Sequence, residues 1–449
     1  MRFTLIRNAL CLLMILTLAV TSVSAVVQPT IDPADDAFLE ELGRRSFDFF
    51  WRTGDPVTGL VPDRAMADGS AAGDVASIAS VGFGLTAYTI AAERGWVSHD
   101  QAYDRTLNTL RYVHDELENV HGFYYHFISM ETGKRVWECE LSSIDTALLI
   151  AGVLTSKAYF ADTEAAEIAQ KIYDRVEWPW MHDGQATLSM GWKPESGFLP
   201  HHWKDYNELK ILYLLGLGSK THPLDEQAWH AWERKYVVTY GGRTFLSCPP
   251  LFTHQYSQAW YDFRDKRDDY ADYWRNSILA TLAQQQAVVD LADRFPLYSK
   301  TMWGLTAADG PDGYRVVGAP PYDGPIDGVI VPCAPAGSIP MAPDATIPAL
   351  REMKDRFPKS WTTYGFVDAF NPHTDWYNEQ VIGIDIGITL LMVENHRTGF
   401  VWELFQRNPE VQRGMDRAGF RPLTEAERQQ TQSISIFTDE PIPADIRKP

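Results

Sequence analysis

The chain has 449 residues, and its 59 Asp and Glu against 40 Lys and Arg give a formal net charge of −19 at pH 7. Because so acidic a protein repels nucleic acid and anionic membranes, we expect neither as a partner. Aromatic residues are abundant, with 15 Trp, 20 Tyr and 21 Phe, and aromatic faces beside polar groups suit sugar rings.

The N-terminus carries an export pattern. Arg2 and Arg7 precede an apolar run over 9–20, and small residues that end at Ala25 fit a signal peptidase site. The run is shorter than the roughly 20 residues that span a bilayer. We therefore expect a signal peptide over 1–25, no membrane insertion after its cleavage, and a periplasmic or secreted protein.

Apolar residues recur at helical spacing along most of the chain. The pattern predicts about twelve helices, over 36–51, 77–94, 98–117, 143–160, 163–176, 206–217, 225–236, 268–295, 344–356, 377–395, 400–407 and 409–418. Ser98 and Gln101 have the spacing of a capping box at the start of the third helix. So many helices in series are typical of helix pairs closed into a toroid, and the class is all-α.

Few segments predict strands. Alternating residues over 123–127 and 135–137, joined across 131–134, predict one short β-hairpin. The segment 310–343 is rich in Gly and Pro and predicts a long loop within the domain. Since no linker divides the chain, we expect residues 26–449 to form one catalytic domain.

Metal and cofactor motifs are absent from the sequence. The histidines lack metal-ligand spacing, so we expect no metal and no cofactor. Cys139, Cys248 and Cys333 remain after the export segment, too widely spaced for a disulfide framework. One disulfide with a free thiol, or three unpaired thiols, are both open from the sequence.

Acidic residues in apolar surroundings are the candidates for catalysis, because cleavage of a glycoside needs an acid and a second carboxylate. Glu140 and Asp145 flank the start of the helix over 143–160, where the alternative role for Asp145 is helix capping. Asp385 lies among apolar residues and glycines, where an unpaired charge is costly.

Glu208 is the third candidate. It precedes the apolar run 209–217 and is predicted one turn inside a helix, where desolvation would raise its pKa toward that of a general acid. The alternative is a first-turn glutamate that stabilises the helix dipole.

Several stretches resemble the bacterial glucoamylase-like proteins that include the endo-β-1,2-glucanases of glycoside hydrolase family 144. They are ASIASVGFGLTAYTIAAERGW, GKRVWECELSSIDTALLIAG, YNELKILYLLGLGSKTHPL, LFTHQYSQAWYDFRDKRDDYADYW, WGLTAADGPDGYRVVGAP, GFVDAFNP and DIGITLLMVENHRTGFVW. The resemblance implies an (α/α)6 barrel, with long loops at the active-site end, that hydrolyses β-1,2-glucan to sophoro-oligosaccharides with inversion.

The resemblance also implies roles for residues. Glu208 becomes the general acid, Asp385 the first candidate for water activation, and Glu140 and Asp145 groups that bind the sugar or assist the base. We expect a monomer whose substrate contacts come from Trp137, Trp203, Tyr206, His254, Gln255, Trp303, Asp375 and Trp376.

Two other functions fit some of the same features. A non-catalytic periplasmic glucan-binding protein would keep the aromatic residues without needing several acids in apolar surroundings. A lyase, or a glycosidase for another polysaccharide, could use a similar helical toroid. The acidic charge argues against a lyase, since its anionic substrate needs a basic groove.

Overall fold

The structure, a computed structural model, describes residues 31–432. Its helices are α1 Pro33–Thr53, α2 Ile78–Glu93, α3 His99–Asp115, α4 Ser143–Tyr159, α5 Glu164–Arg175, α6 Lys210–Gly218, α7 Gln227–Ala231, α8 Tyr256–Trp260, α9 Tyr273–Val289, α10 Cys333–Ala336, α11 Pro343–Arg356, α12 Gly383–Arg397, α13 Phe400–Phe405, α14 Pro409–Arg417 and α15 Glu425–Gln432. Short 3₁₀ helices cover Trp178–His182, Leu251–His254 and Pro358–Ser360.

The helices are joined by very short strands of two to four residues. These are β1 Arg64–Met66, β2 Val75–Ser77, β3 Asn119–Val120, β4 Phe123–Tyr124, β5 Phe127–Ser129, β6 Leu141–Ser142, β7 Gly191–Lys193, β8 Gly197–Phe198, β9 Val237–Tyr240, β10 Arg243–Leu246, β11 Lys266–Arg267, β12 Ala308–Gly310, β13 Gly313–Arg315, β14 Trp361–Thr362, β15 Gly365–Phe366, β16 Phe370–Asn371, β17 Trp376–Tyr377, β18 Gln380–Ile382 and β19 Arg421–Pro422. The fold is thus helix-rich, with more strand pairing than the sequence predicts.

Helices α2, α4, α6 and α12 form the interior because they are apolar on nearly every face. All nine residues of α6 and the first fourteen of α2 are buried, as expected for a helix that has other helices on all sides. Gly82 and Gly152 let α2 and α4 cross closely: a Cβ on Gly152 would lie 2.1 Å from the Gly82 carbonyl oxygen. Outer helices such as α3 and α5 bury one face only.

Most predicted helices are present, and the capping box at Ser98 is confirmed by hydrogen bonds in both directions. Three helix starts were predicted too early, because α6 begins at Lys210, α9 at Tyr273 and α12 at Gly383. Residues 376–382 form β17 and β18 instead, and β18 pairs with the distant β1. The helix predicted over 225–236 is much shorter in the structure, where α7 has five residues.

The predicted β-hairpin is only partly correct. Ile128 and Arg135 form a bridge, and Gly133 closes the turn with a hydrogen bond to Ser129. However, β4 pairs with β3, and β5 pairs with β2. The segment therefore ties the start of α2 to the loop before α4, rather than standing as a separate hairpin.

Residues 32–432 belong to one compact unit. The predicted signal peptide over 1–25 lies outside the described residues. Within 31–432, no helix is long and apolar enough to cross a bilayer. Cys139, Cys248 and Cys333 are all free thiols. Of the two alternatives left open by the sequence, the structure therefore has three unpaired thiols.

Candidate active site

A cavity of about 520 Å³ opens where several interior helices begin. Each of these helices starts directly after a short strand or turn, so residues at the joint point to one place. The lining residues are Asp63, Arg64, Ser77, His126, Phe127, Trp137, Ile144, Asp145, Leu148, Glu208, Phe252, Tyr256, Tyr314, Ile382 and Ile384.

Glu208 is recessed in this cavity, in the turn that precedes α6. The Ser257 hydroxyl on α8 donates to the Glu208 carbonyl oxygen at 2.6 Å and accepts from the Ile211 amide at 3.1 Å. These bonds fix the turn. Burial raises the pKa of the Glu208 carboxyl to about 7, so near neutral pH it can hold a proton and release it. Its predicted place inside the helix was wrong, but its predicted chemistry is compatible with this environment.

A buried lysine stands behind Glu208. Lys210 is fully buried, and its Nζ donates to the Asn207 carbonyl oxygen at 2.6 Å and lies 4.4 Å from the centre of the Tyr206 ring. Burial lowers the pKa of Lys210 to about 7, while the Glu208 carboxylate opposes that shift. The positive charge of Lys210 in turn favours ionised Glu208.

His126 joins the two acids that flank α4. Its Nδ1 lies 3.0 Å from Glu140 Oε1, and its Nε2 lies 3.5 Å from Asp145 Oδ2. Burial acts to lower the pKa of His126, but Asp145 and Glu140 outweigh it and raise that pKa. The hydrogen bond from His126 lowers the pKa of Glu140. Asp145 also accepts from the Ser142 hydroxyl at 2.5 Å, so its oxygens are fixed at the cavity wall.

Asp63 and Arg64 extend the acidic wall at the start of β1. The Arg64 guanidinium binds Asp63 Oδ2 through Nε at 3.0 Å and Asp309 Oδ2 through Nη1 at 2.7 Å. The Gly383 amide donates to the Asp63 carbonyl oxygen at 2.7 Å. These contacts attach the hairpin of β12 and β13 to the start of α12.

Asp385 lies in the first turn of α12, next to Asp368. The Asp309 amide donates to Asp368 Oδ2 at 2.7 Å, and the Asp368 and Asp385 carboxyl groups are within hydrogen-bonding reach of each other. The Cys333 thiol also faces Asp385. Burial raises the pKa of Asp385. Burial raises the pKa of Tyr256, and the charge of Asp385 raises it further. Because Tyr256 lines the cavity, Asp385 acts electrostatically on the cavity wall.

Trp137 stands at the mouth of the cavity with 68% of its surface exposed. Trp137 and Glu138 both have left-handed backbone, with φ of 54° and 48°. For residues other than glycine that conformation costs roughly 1–2 kcal/mol each. The Trp137 ring leans on Phe127, 5.2 Å away. A strained loop that holds an indole at a cavity mouth is the arrangement expected of a platform for a sugar ring.

Other predicted contacts lie away from the cavity. Trp303 is fully buried, and its Nε1 donates to the Ala345 carbonyl oxygen, so its predicted place around the groove is wrong: it belongs to the core. Gln255 is buried and donates to Ala334 and Ser338. Asp375 is exposed and pairs with Lys359.

The remaining predicted contacts are structural neighbours of the site. Trp203 is 6% exposed and donates to Ser143 Oγ at 2.8 Å, at the start of α4. The Tyr206 hydroxyl lies 2.9 Å from His254 Nδ1, and burial lowers the pKa of His254 to about 3. Both rings are buried beside Lys210. Trp376 lies in β17, which does not line the cavity.

Several cavity residues were not predicted. These are Asp63, Arg64, Phe252, Tyr256 and Tyr314. The last three lie in stretches that carry the resemblance, but none was predicted as a site residue. Asp368, between Val367 and Ala369 in the sequence, shows the same acid-in-apolar pattern that indicated Asp385. Residues 309–313 form the joint of β12 and β13. Across 31–432, no group of three His, Cys, Asp or Glu is arranged to hold a metal ion.

Comparison with known proteins identifies the family of the chain. Residues 200–409 match the family described as "Putative glucoamylase". A crystal structure described as "a putative glucoamylase from Bacteroides uniformis" shares 31% identity, with a TM-score of 0.81 over 88% of this chain and 99% of that chain. The chain belongs to this glucoamylase-like family.

Two relatives in that comparison carry named activities. The endo-β-1,2-glucanase of Chitinophaga pinensis, solved with sophorotriose and glucose, shares 28% identity and a TM-score of 0.81 over 87% of this chain and 99% of that chain. An exo β-1,2-glucooligosaccharide sophorohydrolase of Parabacteroides distasonis is 25% identical over 436 residues. That match covers 88% of this chain and 59% of the relative, so the chain spans about three fifths of the relative's length.

Proposed function

We propose that this protein is a glycoside hydrolase that cleaves β-1,2-glucan. The observation that carries the proposal is Glu208, a carboxyl group whose pKa burial raises to about 7 inside a cavity that other carboxylates also line. A protonated acid beside ionised carboxylates is the pairing that glycoside cleavage needs. The named activities of the relatives indicate the β-1,2 linkage.

In the proposed mechanism, Glu208 donates its proton to the glycosidic oxygen while the bond from that oxygen to the anomeric carbon breaks. Asp385 takes a proton from a water molecule, whose oxygen attacks the anomeric carbon from the opposite face and inverts it. Asp145, held by Ser142 and His126, accepts hydrogen bonds from sugar hydroxyls. Trp137 stacks against a sugar ring at the mouth.

We further propose the (α/α)6 arrangement for the interior. Helices α2, α4, α6, α8 and α12 contact one another in a closed circuit, and α10 packs against α12 as the sixth inner helix. The proposal also keeps the expectations of an exported monomer and of endo action.

The experiment is incubation of the purified protein with β-1,2-glucan, starch and laminarin, with product analysis over time. We expect β-1,2-linked products of several lengths from the first substrate. Release of one disaccharide from the start would replace endo with exo action. Cleavage of starch or laminarin alone would overturn the linkage. Binding of β-1,2-glucan without any product would make the protein a binding protein.

A further inference from the structure

Asp368 and Asp385 form a buried carboxyl pair. They are 4% and 6% exposed, and both line a small void of about 20 Å³ between α1 and α12 whose other walls are mainly apolar. Two adjacent carboxylates in such surroundings repel each other and lose hydration, so one of them is expected to hold a proton. The hydrogen bonds indicate which one.

The two oxygens of Asp368 have different partners. Oδ2 accepts from the Asp309 amide at 2.7 Å and lies 3.5 Å from Asn378 Nδ2. Oδ1 is buried, and no donor group among residues 31–432 reaches it. An oxygen that carries a proton needs an acceptor rather than a donor, and Asp385 is within reach as that acceptor.

We propose that Asp368 is a neutral positioning acid, which donates a hydrogen bond to Asp385 and so keeps Asp385 ionised and oriented for water activation. The inference rests on the proposed function, in which Asp385 is the base. Asp368 acts through Asp385 and not on the substrate. Neither carboxyl group lines the main cavity, but Asp385 directly follows Ile384, which does.

The charges around the pair fit this assignment. Asp385 lies on α12. The groups that interact with the pair from other elements are Asp309 on β12, Tyr314 on β13, Tyr256 on α8, Cys333 on α10, and Asp63 and Arg64 at the start of β1. One guanidinium is thus set against four carboxyl groups. Burial and the neighbouring Asp385 raise the pKa of Asp368 well above its usual value, while the hydrogen bond from Asp368 helps Asp385 to ionise.

Three variants separate the two roles: Asp368→Asn, Asp368→Ala and Asp385→Asn. The amide of Asp368→Asn can accept from Asp309 and still donate to Asp385, so its kcat should fall least. Asp368→Ala removes the donor, and loss of a hydrogen bond to a charged group should lower kcat by about tenfold to a hundredfold. The acid limb of the pH–rate profile of Asp368→Ala should also move to higher pH, because Asp385 then ionises less readily.

The Asp385→Asn variant provides the comparison. It removes the base itself and should lower turnover by at least about a hundredfold. If Asp368→Asn lost as much activity as Asp385→Asn, the charge would reside on Asp368, and the assignment would be overturned.

A second measurement does not depend on activity. Infrared spectra of the substrate-free Glu208→Gln protein at neutral pH, which lacks the protonated Glu208 carboxyl, should show a protonated-carboxyl band that disappears when Asp368→Asn is added. Asp262→Asn is the matched control, because the partly buried Asp262 pairs with Arg264 at 2.9 Å and is ionised. A band that survives when Asp368→Asn is added to Glu208→Gln would overturn the proposal. If the wild-type protein failed to cleave β-1,2-glucan, the proposed function would fail while the infrared result still tested the protonation of Asp368.

Discussion

Replacing Glu208 with Gln should remove turnover and, above pH 5, stabilise the fold. The amide keeps the shape of the side chain but cannot donate a proton to a glycosidic oxygen. General acid catalysis is typically worth about 10²–10⁴-fold, so kcat should fall by at least that order. Substrate binding should change little, since the contacts of Asp145 and Trp137 remain.

The stabilisation follows from the pKa. Burial raises the pKa of Glu208 from 4.5 to about 7, so the unfolded chain ionises first. Wild-type stability therefore falls as the pH rises from about 4.5 to about 7, by about 3 kcal/mol in all. The Gln variant lacks this loss. Its advantage in free energy of unfolding should be near zero at pH 4.5 and reach its full value above pH 7.

Denaturant unfolding at several pH values, together with hydrolysis rates on the same preparations, measures both effects. Glu140→Gln is the matched control, because His126 lowers the pKa of Glu140. Glu140→Gln should lower the free energy of unfolding at neutral pH and leave it nearly unchanged at low pH. This effect is opposite in sign to that of Glu208→Gln. Near-normal turnover of Glu208→Gln, or a stability difference independent of pH, would refute the assignment of Glu208 as the general acid.

Three further predictions concern charge, packing and stereochemistry. Lys210→Met removes a buried charge that favours ionised Glu208, so the alkaline limb of the pH–rate profile should move to higher pH, whereas exposed Lys204→Met should leave it in place. Trp137→Ala should raise KM with little change in unfolding free energy, whereas Trp303→Ala should cost about 3–5 kcal/mol of stability; the reverse pattern would return Trp303 to the site. Proton NMR of the first product anomer should show inversion, and a retained anomer would contradict the mechanism.

The interior helices could be predicted from sequence because their signal is local. Ile78, Val81, Leu85 and Tyr88 recur at helical spacing, and all four are buried in α2. A local sequence pattern does not indicate which strands pair across long distances in the chain. Residues 377–382 were predicted as the first turns of the helix that contains α12, yet β18 pairs with β1 more than 300 residues earlier, and tertiary context overrides local preference there.

The site was predictable only where an acid stood out from its neighbours. Glu208 and Asp145, which line the cavity, and Asp385, which lies behind its wall, were predicted because each lies among apolar residues next to a helix start. Arg64 and Tyr314 were missed because their roles depend on partners brought close by folding. Trp303 was misplaced for a related reason: a tryptophan in a Gly-rich loop has the same local pattern whether the fold exposes it or buries it.

The site carries opposing contributions to stability. Glu208 and the Asp368–Asp385 pair have raised pKa values, so their ionisation weakens the fold as the pH rises. Glu140 has a lowered pKa, so its ionisation strengthens the fold at the same pH. Because one acid must stay protonated while a second carboxylate is ionised, the destabilising burial of Glu208 is a condition of the proposed reaction. The interior helices supply the apolar packing that sustains it.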